Sequence, residues 1–303
     1  MCIGDLDVDL YIAVPFIPGF DQKIAGRNIG QKPGGMAANA AVAFARLGRN
    51  SRLIAAVGDD AQGAETLARL GADGVDLSFV VQRKGVSTFM CVVLLSPSGE
   101  KSLIRLETEA YLPLPGDLVP KAFEGIRHVH STYGSPDLAA MAFKMAVDRG
   151  MTTSLDLEPP DVQNAPERVS TILPFVNTLF LNREGAEAAS AALGTALHPR
   201  LLRPNGEIII TLGAAGCRRI AAEGAMDVPG FDVRPIDTTG AGDCFAGAYL
   251  TRRLEGANAA DALQFANAAA ALATLDFGAQ TAMPRRGAVE DLLAQFGRRF
   301  LEQ

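Results

Sequence analysis

The chain has 303 residues, 48% of them hydrophobic and 20% charged, with a net charge of −6 and no dense block of Lys and Arg. Such a composition belongs to a globular protein able to bury about three quarters of its unfolded surface, and it argues against a disordered chain or one that grips nucleic-acid phosphates. Cys2, Cys91, Cys217 and Cys244 lie far apart without CxxC spacing. A reducing cytoplasm is therefore expected, rather than a disulfide framework or a zinc site.

In chain order, the opening "MCIGDLDVDLYIAV" has neither a basic start nor a long apolar run, so it is not expected to be a signal peptide. No stretch reaches the roughly 20 apolar residues that a membrane helix needs, and no membrane partner is expected. "DLYIAVPFIPGF" and "DQKIAGRNIGQKPGG" read as extended chain punctuated by Pro and Gly. "SRLIAAVG" (51–58) reads as a buried strand, and "AQGAETLARLG" as a helix closed by Gly71. "VSTFMCVVLL" and "SLIRLE" read as a β-hairpin turning over 96–101. These irregular pieces, over about 10–33 and 86–112, are expected to join in a small accessory sheet that acts as a lid. An edge extension of the main sheet is the other reading.

Beyond them, "IRHVHSTY", "MTTSLDL", "TLFL" and "EIIITLG" read as strands, with "DLAAMAFKMAVDRG" and "EGAEAASAALG" as helices between. Strand–helix alternation with near-continuous apolar strands predicts an α/β fold: a parallel sheet covered on both faces. The last third is mainly helical, including "ANAADALQFANAAAALATL", and Arg298-Arg299 read as part of a helical end. With no internal repeat or linker, residues 1–303 read as one domain. His128 and His130 alternate and so share a face. With no third metal ligand apparent, a rim or exposed position is expected for them.

The chemistry concentrates in "DTTGAGDCFAGA" (237–248). Extended chain in "GFDVRPID" leads to a helix in "CFAGAYLTRRLEG". Gly240, Ala241 and Gly242 thus fall at a helix N-terminus, where unpaired N–H groups and the dipole favour an anion and small residues let a phosphate approach. Asp243 caps the helix or stands as a base beside that anion hole. Phosphoryl transfer needs alignment, charge neutralisation and a positioned base, and this stretch offers the last two. A Walker A loop is excluded because no Lys-Ser/Thr follows, and the dinucleotide fingerprint fails because Phe245 replaces its third glycine.

"DTTGAGDCFAGAYL" closely resembles the C-terminal signature of the ribokinase-like (phosphofructokinase B, PfkB) family of carbohydrate kinases. "GGMAANAAVAFARLG" followed by "VGDDAQG" resembles the family's other signature, in the expected order. The resemblance covers essentially the whole chain and implies a three-layer α/β/α fold: a central, mostly parallel sheet with a small β-sheet lid over the sugar. It further implies an ATP-dependent kinase that phosphorylates a hydroxyl, in particular a primary one, of a small carbohydrate. Asp243 matches the base, and Gly240, Ala241 and Gly242 match the anion hole. In "GDLDVD", Asp7 and Asp9 match sugar-binding positions, although alone they read as a strand end. Gly34, Gly35 and Asn39 match the second substrate element. Arg105, on the return strand of the hairpin, either points inward to an anionic substrate group or lies exposed.

For the nucleotide, "TLGAAGC" implicates Thr211, Gly213 and Gly216, which alone read as a strand and a tight turn. Asn267 matches a position near adenine or packs within its helix. The family's N-x-x-E pattern is broken: Asn182 is present, but Gly185 stands at the glutamate position. Glu184 or Glu187, or water, would then help order Mg²⁺. "DFGAQTAMP" resembles the loop that joins Asp237 and Thr239 in a K⁺ site in potassium-activated members; Gly278 fits, while Ala282 replaces a serine. Lid strands in this family pair across a homodimer. The alternatives are a nucleoside kinase on the same scaffold, for which Phe16 and Phe20 would be lid aromatics, and an idle sugar-binding or regulatory homologue.

Overall fold

Alternation along the first strands divides the N-terminal chain between two sheets. The protein is described as a computed structural model over residues 1–97 and 101–301, with 297–301 by backbone alone, so the tip of the expected hairpin turn lies outside the described residues. After β1 (Cys2–Ile3) the chain crosses into β2 (Asp7–Ala13), and β3 (Arg27–Gly34) returns antiparallel to it. Helix α1 (Met36–Arg46) leads to β4 (Ser51–Ile54) and β5 (Ala56–Gly58), followed by α2 (Ala61–Ala72), β6 (Val75–Asp76) and β7 (Val81–Arg83).

Two local expectations change here. The strand expected over 51–58 breaks at Ala55, because β4 pairs with β1 and β6 whereas β5 pairs only with β7. Helix α2 continues past Gly71 to Ala72, and Gly74, with φ of 86°, makes the left-handed turn instead.

Strands β8 (Met90–Leu95) and β9 (Lys101–Leu106) form the expected antiparallel hairpin. β8 runs parallel to β2, giving a four-stranded sheet in the order β3-β2-β8-β9. This lid is separate from the main sheet, so the edge-extension reading is overturned. It begins at Asp7, earlier than expected.

The remaining chain builds the main layer. It runs through β10 (His128–Thr132), α3 (Pro136–Val147), β11 (Thr152–Asp156), α4 (Pro159–Asn164) and α5 (Val169–Ile172). Then come β12 (Thr178–Asn182), α6 (Arg183–Leu193), β13 (Glu207–Thr211), β14 (Cys217–Ala221) and β15 (Gly224–Val228). Helices α7 (Ala241–Leu254), α8 (Ala259–Ala273) and α9 (Arg286–Leu301) close the chain. The sheet order is β15-β14-β13-β12-β11-β10-β1-β4-β6, parallel except at the β13-β14-β15 edge. Successive side chains of a strand take opposite faces. Cys2, Leu53, Phe180 and Ile209 therefore join the core beneath α1, α7 and α8, while Ile3, Ile54, Leu179 and Ile208 join the core beneath α3, α5 and α6.

His128 and His130 do share a face, but it is buried rather than rim or solvent. Their rings bond the Thr152 and Ser154 hydroxyls of β11 at 2.8 Å. Burial, then the nearby charged N-terminus, holds both well below the usual histidine range, so they are neutral packing groups. Among the described residues no helix is long and apolar enough to cross a membrane.

One helix contact sets up the site. A Cβ at Gly247 would stand 2.7 Å from Ala43 Cβ, so α7 and α1 approach more closely than any larger residue allows. One turn earlier on each helix lie Asp243 and Asn39, on the same facing stripes.

Candidate active site

Thr132, Asp156, Asn182 and Thr211 end the adjacent parallel strands β10, β11, β12 and β13, and all four line one cavity of about 670 Å³. Open α/β sheets bind ligands at this edge, outside the carboxyl ends of their strands. The lid covers the opposite side, with Asp7, Asp9, Cys91, Lys101, Leu103 and Arg105 facing inward. The floor between them is Thr238 to Gly240, Gly242 and Asp243.

Gly240 caps α7 in the left-handed conformation (φ 76°), and a Cβ there would meet Ala279 Cβ at 2.6 Å. Only glycine suits that position. Among the described residues, the Gly240, Gly242 and Asp243 amides meet no acceptor, whereas Ala241 N–H bonds Thr238 O at 3.3 Å and Ala241 does not line the cavity. The free donors thus fall on residues 240, 242 and 243 rather than on the expected trio. Asp243 does not cap its helix. Its Oδ2 accepts 2.8 Å from Asn39 Nδ2, and its side chain faces the cavity although only 7% exposed. Burial, then repulsion from Asp156, pushes its carboxyl well above the usual range, against the pull of the Asn39 bond.

On the lid side, Asp7 and Asp9 are both buried and both line the cavity. A Cβ at Gly34 would lie 2.2 Å from Asp7 Oδ1 and 2.6 Å from Asp9 Oδ2, so the glycine makes room for the two carboxylates rather than lining the cavity itself. Gly35 lines it, and Asp5 beside it accepts bonds from the Met36 and Ala37 amides, fixing the start of α1. Asp7 Oδ1 and Asn39 Oδ1 are buried without a protein donor among the described residues. Arg105 lines the cavity yet stays exposed, bonded to Tyr111 OH at 3.1 Å and Glu107 at 3.2 Å, so both expectations hold in part.

The other expected residues divide between the cavity wall and positions outside it. Asn182 lines it, but its Oδ1 caps α6 by accepting from Gly185 N–H at 2.7 Å. A side chain at Gly185 would press on Leu157 O at 2.8 Å, which leaves no room for the family's glutamate. The same cap turns Glu184 outward; it and Glu187 are exposed and away from the cavity, which corrects their expected role. Thr211 lines the cavity, Gly213 and Gly216 form the turn after it, and Asn267 ties down the neighbouring loop by donating to Val228 O and Pro229 O. Asp237, Thr239 and Gly278 do meet. Thr239 N–H and Oγ1 donate to Asp237 Oδ1 at 2.9 and 2.6 Å, while Gly278 N–H and Tyr11 OH donate to Oδ2 at 3.1 and 3.3 Å. Phe16 and Phe20 are exposed and line no part of this cavity, whose aromatics among the described residues are Phe89, Tyr111 and Phe180.

Residues 1–286 match the pattern of the pfkB family carbohydrate kinases. The chain belongs to that family. It is 30% identical to ribokinase of Bacillus subtilis over 297 residues, covering 96% of this chain and 98% of the relative. It is equally identical to an ATP-dependent ribose-1-phosphate kinase of Halopiger xanaduensis over 296 residues, covering 96% and 97%. The solved structure of ribokinase from Cryptococcus neoformans in complex with ADP superposes with a TM-score of 0.83 at 23% identity, covering 95% of this chain and 97% of that one. This carbohydrate kinase is therefore a phosphotransferase with a hydroxyl acceptor.

The kinase cavity also holds acids that motif reading passed over. Asp156, Glu158 and Asp161 line it around the end of β11. Burial, then repulsion from Glu158, lifts Asp156 to about 8; burial and Asp161 lift Glu158 to about 7. Burial raises Asp161 to about 6 against Arg105, and burial with Asp237 raises Asp9 to about 7. The available signal was topological: "LDLEPPD" follows a parallel strand, at the edge where ligands bind.

Their shared elevation has a consequence for stability. In the unfolded chain these carboxyls lose their protons near pH 4, whereas in the folded kinase they keep them up to about pH 6 to 8. Over that interval the unfolded state binds fewer protons, so stability falls as pH rises. The ligand-free kinase should melt several degrees lower at about pH 8 than at about pH 5.5, and Asp156→Asn should narrow the gap. A melting temperature that is flat or rising across this interval would contradict the account.

Proposed function

We propose that this family member transfers the γ-phosphate of ATP to a hydroxyl, in particular a primary one, of a small, hydroxyl-rich sugar. The carrying observation is Asp243: a buried carboxylate, held by Asn39, that faces a cavity beside the unpaired amides of Gly240, Gly242 and Asp243. Asp243 takes the proton of the attacking hydroxyl, and the amides receive the phosphoryl group as charge develops on its oxygens. Asp7 Oδ1 and Asn39 Oδ1, buried and without a donor among the described residues, suit sugar hydroxyls. With Asp9 they hold the acceptor beneath the lid.

ATP as the donor is supported by the relatives' printed names, ATP-dependent in one case and bound to ADP in another. Thr211 and Gly240, which both line the cavity, would hold its phosphates, and Asn267, which donates to Val228 O and Pro229 O, would support the neighbouring loop. Mg²⁺ bound with the phosphates would supply charge neutralisation. Asp156 and Glu158 both line the cavity and would suit that ion: Glu158 raises the pKa of Asp156, a repulsion that a cation would relieve, and the two would meet it mainly through water. Against potassium at the Asp237 site, four donors already engage that carboxylate, and Gly278 presents N–H to it. A cytoplasmic location suits four unpaired, buried cysteines.

Asp243→Asn preserves the acceptor for Asn39 but removes the base. We expect kcat to fall about 10²- to 10⁴-fold on the best sugar of a panel, with ATP affinity by calorimetry nearly unchanged. Parallel losses of binding and turnover would contradict its role. We further propose a homodimer through the lid, because edge strand β9 leaves Ile104 and Leu106 49% and 47% exposed. Light scattering should give twice the chain mass, and the double change Ile104→Lys, Leu106→Lys should give one chain. A monomeric wild type would rule the pairing out.

A further inference from the structure

Building on the kinase reading, we propose that Lys101 is a catalytic residue carried by the lid, whose ammonium covers the phosphoryl group in transit. Lys101 opens β9, in the four-stranded lid sheet, far in sequence from the transfer loop. Its Nζ nevertheless donates to Thr239 Oγ1 at 2.9 Å, beside the Gly240 N-cap of α7. The Thr239 hydroxyl spends its own proton on Asp237 Oδ1, so it offers Lys101 a lone pair. One ammonium hydrogen is thereby occupied and two remain for a ligand.

No described carboxylate lies within ion-pair distance of Lys101, although its field lowers the proton affinity of Asp9, Glu158 and Asp237. Among the described residues the cavity has two cationic side chains, Lys101 and Arg105, and the second is already paired with Glu107. Carboxylates dominate the remaining charge: Asp5, Asp7, Asp9, Asp156, Glu158, Asp161 and Asp243. A phosphoryl group entering such a cavity needs a cation at the loop that receives it, and Lys101 is the one positioned there.

Position on the lid adds timing. Tyr11 OH of β2 also bonds the loop, at Asp237 Oδ2, so two lid strands latch onto residues 237–239. Lys101 reaches the transfer site when the lid lies down, and sugar under the lid is what the lid covers. During transfer the acceptor oxygen bonds to phosphorus and the bond from phosphorus to the bridging oxygen breaks, leaving its electrons on ADP. The hydroxyl proton goes to Asp243. Lys101 moves no proton; it offsets charge on the equatorial oxygens and would bring ATP turnover under control of the closed lid.

The test compares wild type, Lys101→Met, Lys101→Ala and the matched surface control Lys121→Met, on the best acceptor of a sugar panel. We expect kcat of Lys101→Met to fall about 10²-fold, with sugar KM within a few-fold of wild type and melting temperature unchanged. Added methylammonium should partly restore Lys101→Ala, which a role in holding the lid together would not allow. Lys121→Met should match wild type. A Lys101→Met enzyme with wild-type kcat, or one altered only in sugar KM, overturns the inference while leaving the kinase reading intact. A wild type that phosphorylates no sugar in the panel overturns both.

Discussion

The hydrogen bond from Asn39 Nδ2 to Asp243 Oδ2 is the joint on which the site depends. A carboxylate at the third position of α7 would ordinarily turn back to cap its own helix. Here the left-handed Gly240 starts the helix without a side-chain cap, and the close packing of α7 on α1 brings an amide within reach instead. Asp243 is thus buried, oriented and pointed across the cavity at once. Burial alone would leave the group neutral and mobile; the Asn39 bond opposes that and selects one orientation.

Around this joint the cavity concentrates more negative charge than a ligand-free protein tolerates well. Asp7, Asp9, Asp156 and Glu158 all hold their protons more tightly than free carboxyls do, mainly because burial deprives them of water. The arrangement makes sense for a site completed by its ligands. In the proposed reaction, sugar hydroxyls would donate to the lid acids, a nucleotide would bring its cation to the strand-end acids, and the lid would bring Lys101. Stability and function pull in opposite directions at such a site, as functional sites generally permit.

Much of this was legible in the sequence. The strand–helix alternation, the separate lid hairpin and the glycine-rich start of α7 all carry local signatures, and the resemblance linked them to sugar, nucleotide and base positions. What escaped reading was what distant contacts decide. Nothing in "SRLIAAVG" announces that β5 will leave the main sheet for β7. His128 and His130 look like polar rim residues until the hydroxyls of β11 satisfy them in the interior. Gly185 looked like a lost ligand, yet Leu157 O occupies the space a side chain would need. Lys101 gave no signal at all, since its partner Thr239 is remote in sequence. The acids of "LDLEPPD" became meaningful only once β11 was seen to end at the cavity.

The central claim is that Asp243 and the amides beside it form one transfer site, and it is open to direct view. A crystal structure with ADP, aluminium fluoride and the best acceptor sugar would mimic the group in flight. The account places the fluoride ligands about 2.7–3.1 Å from the amides of Gly240, Gly242 or Asp243, with the sugar hydroxyl hydrogen-bonded to the Asp243 carboxylate. A trapped group held elsewhere, with Asp243 still bonded to Asn39 alone, would contradict it.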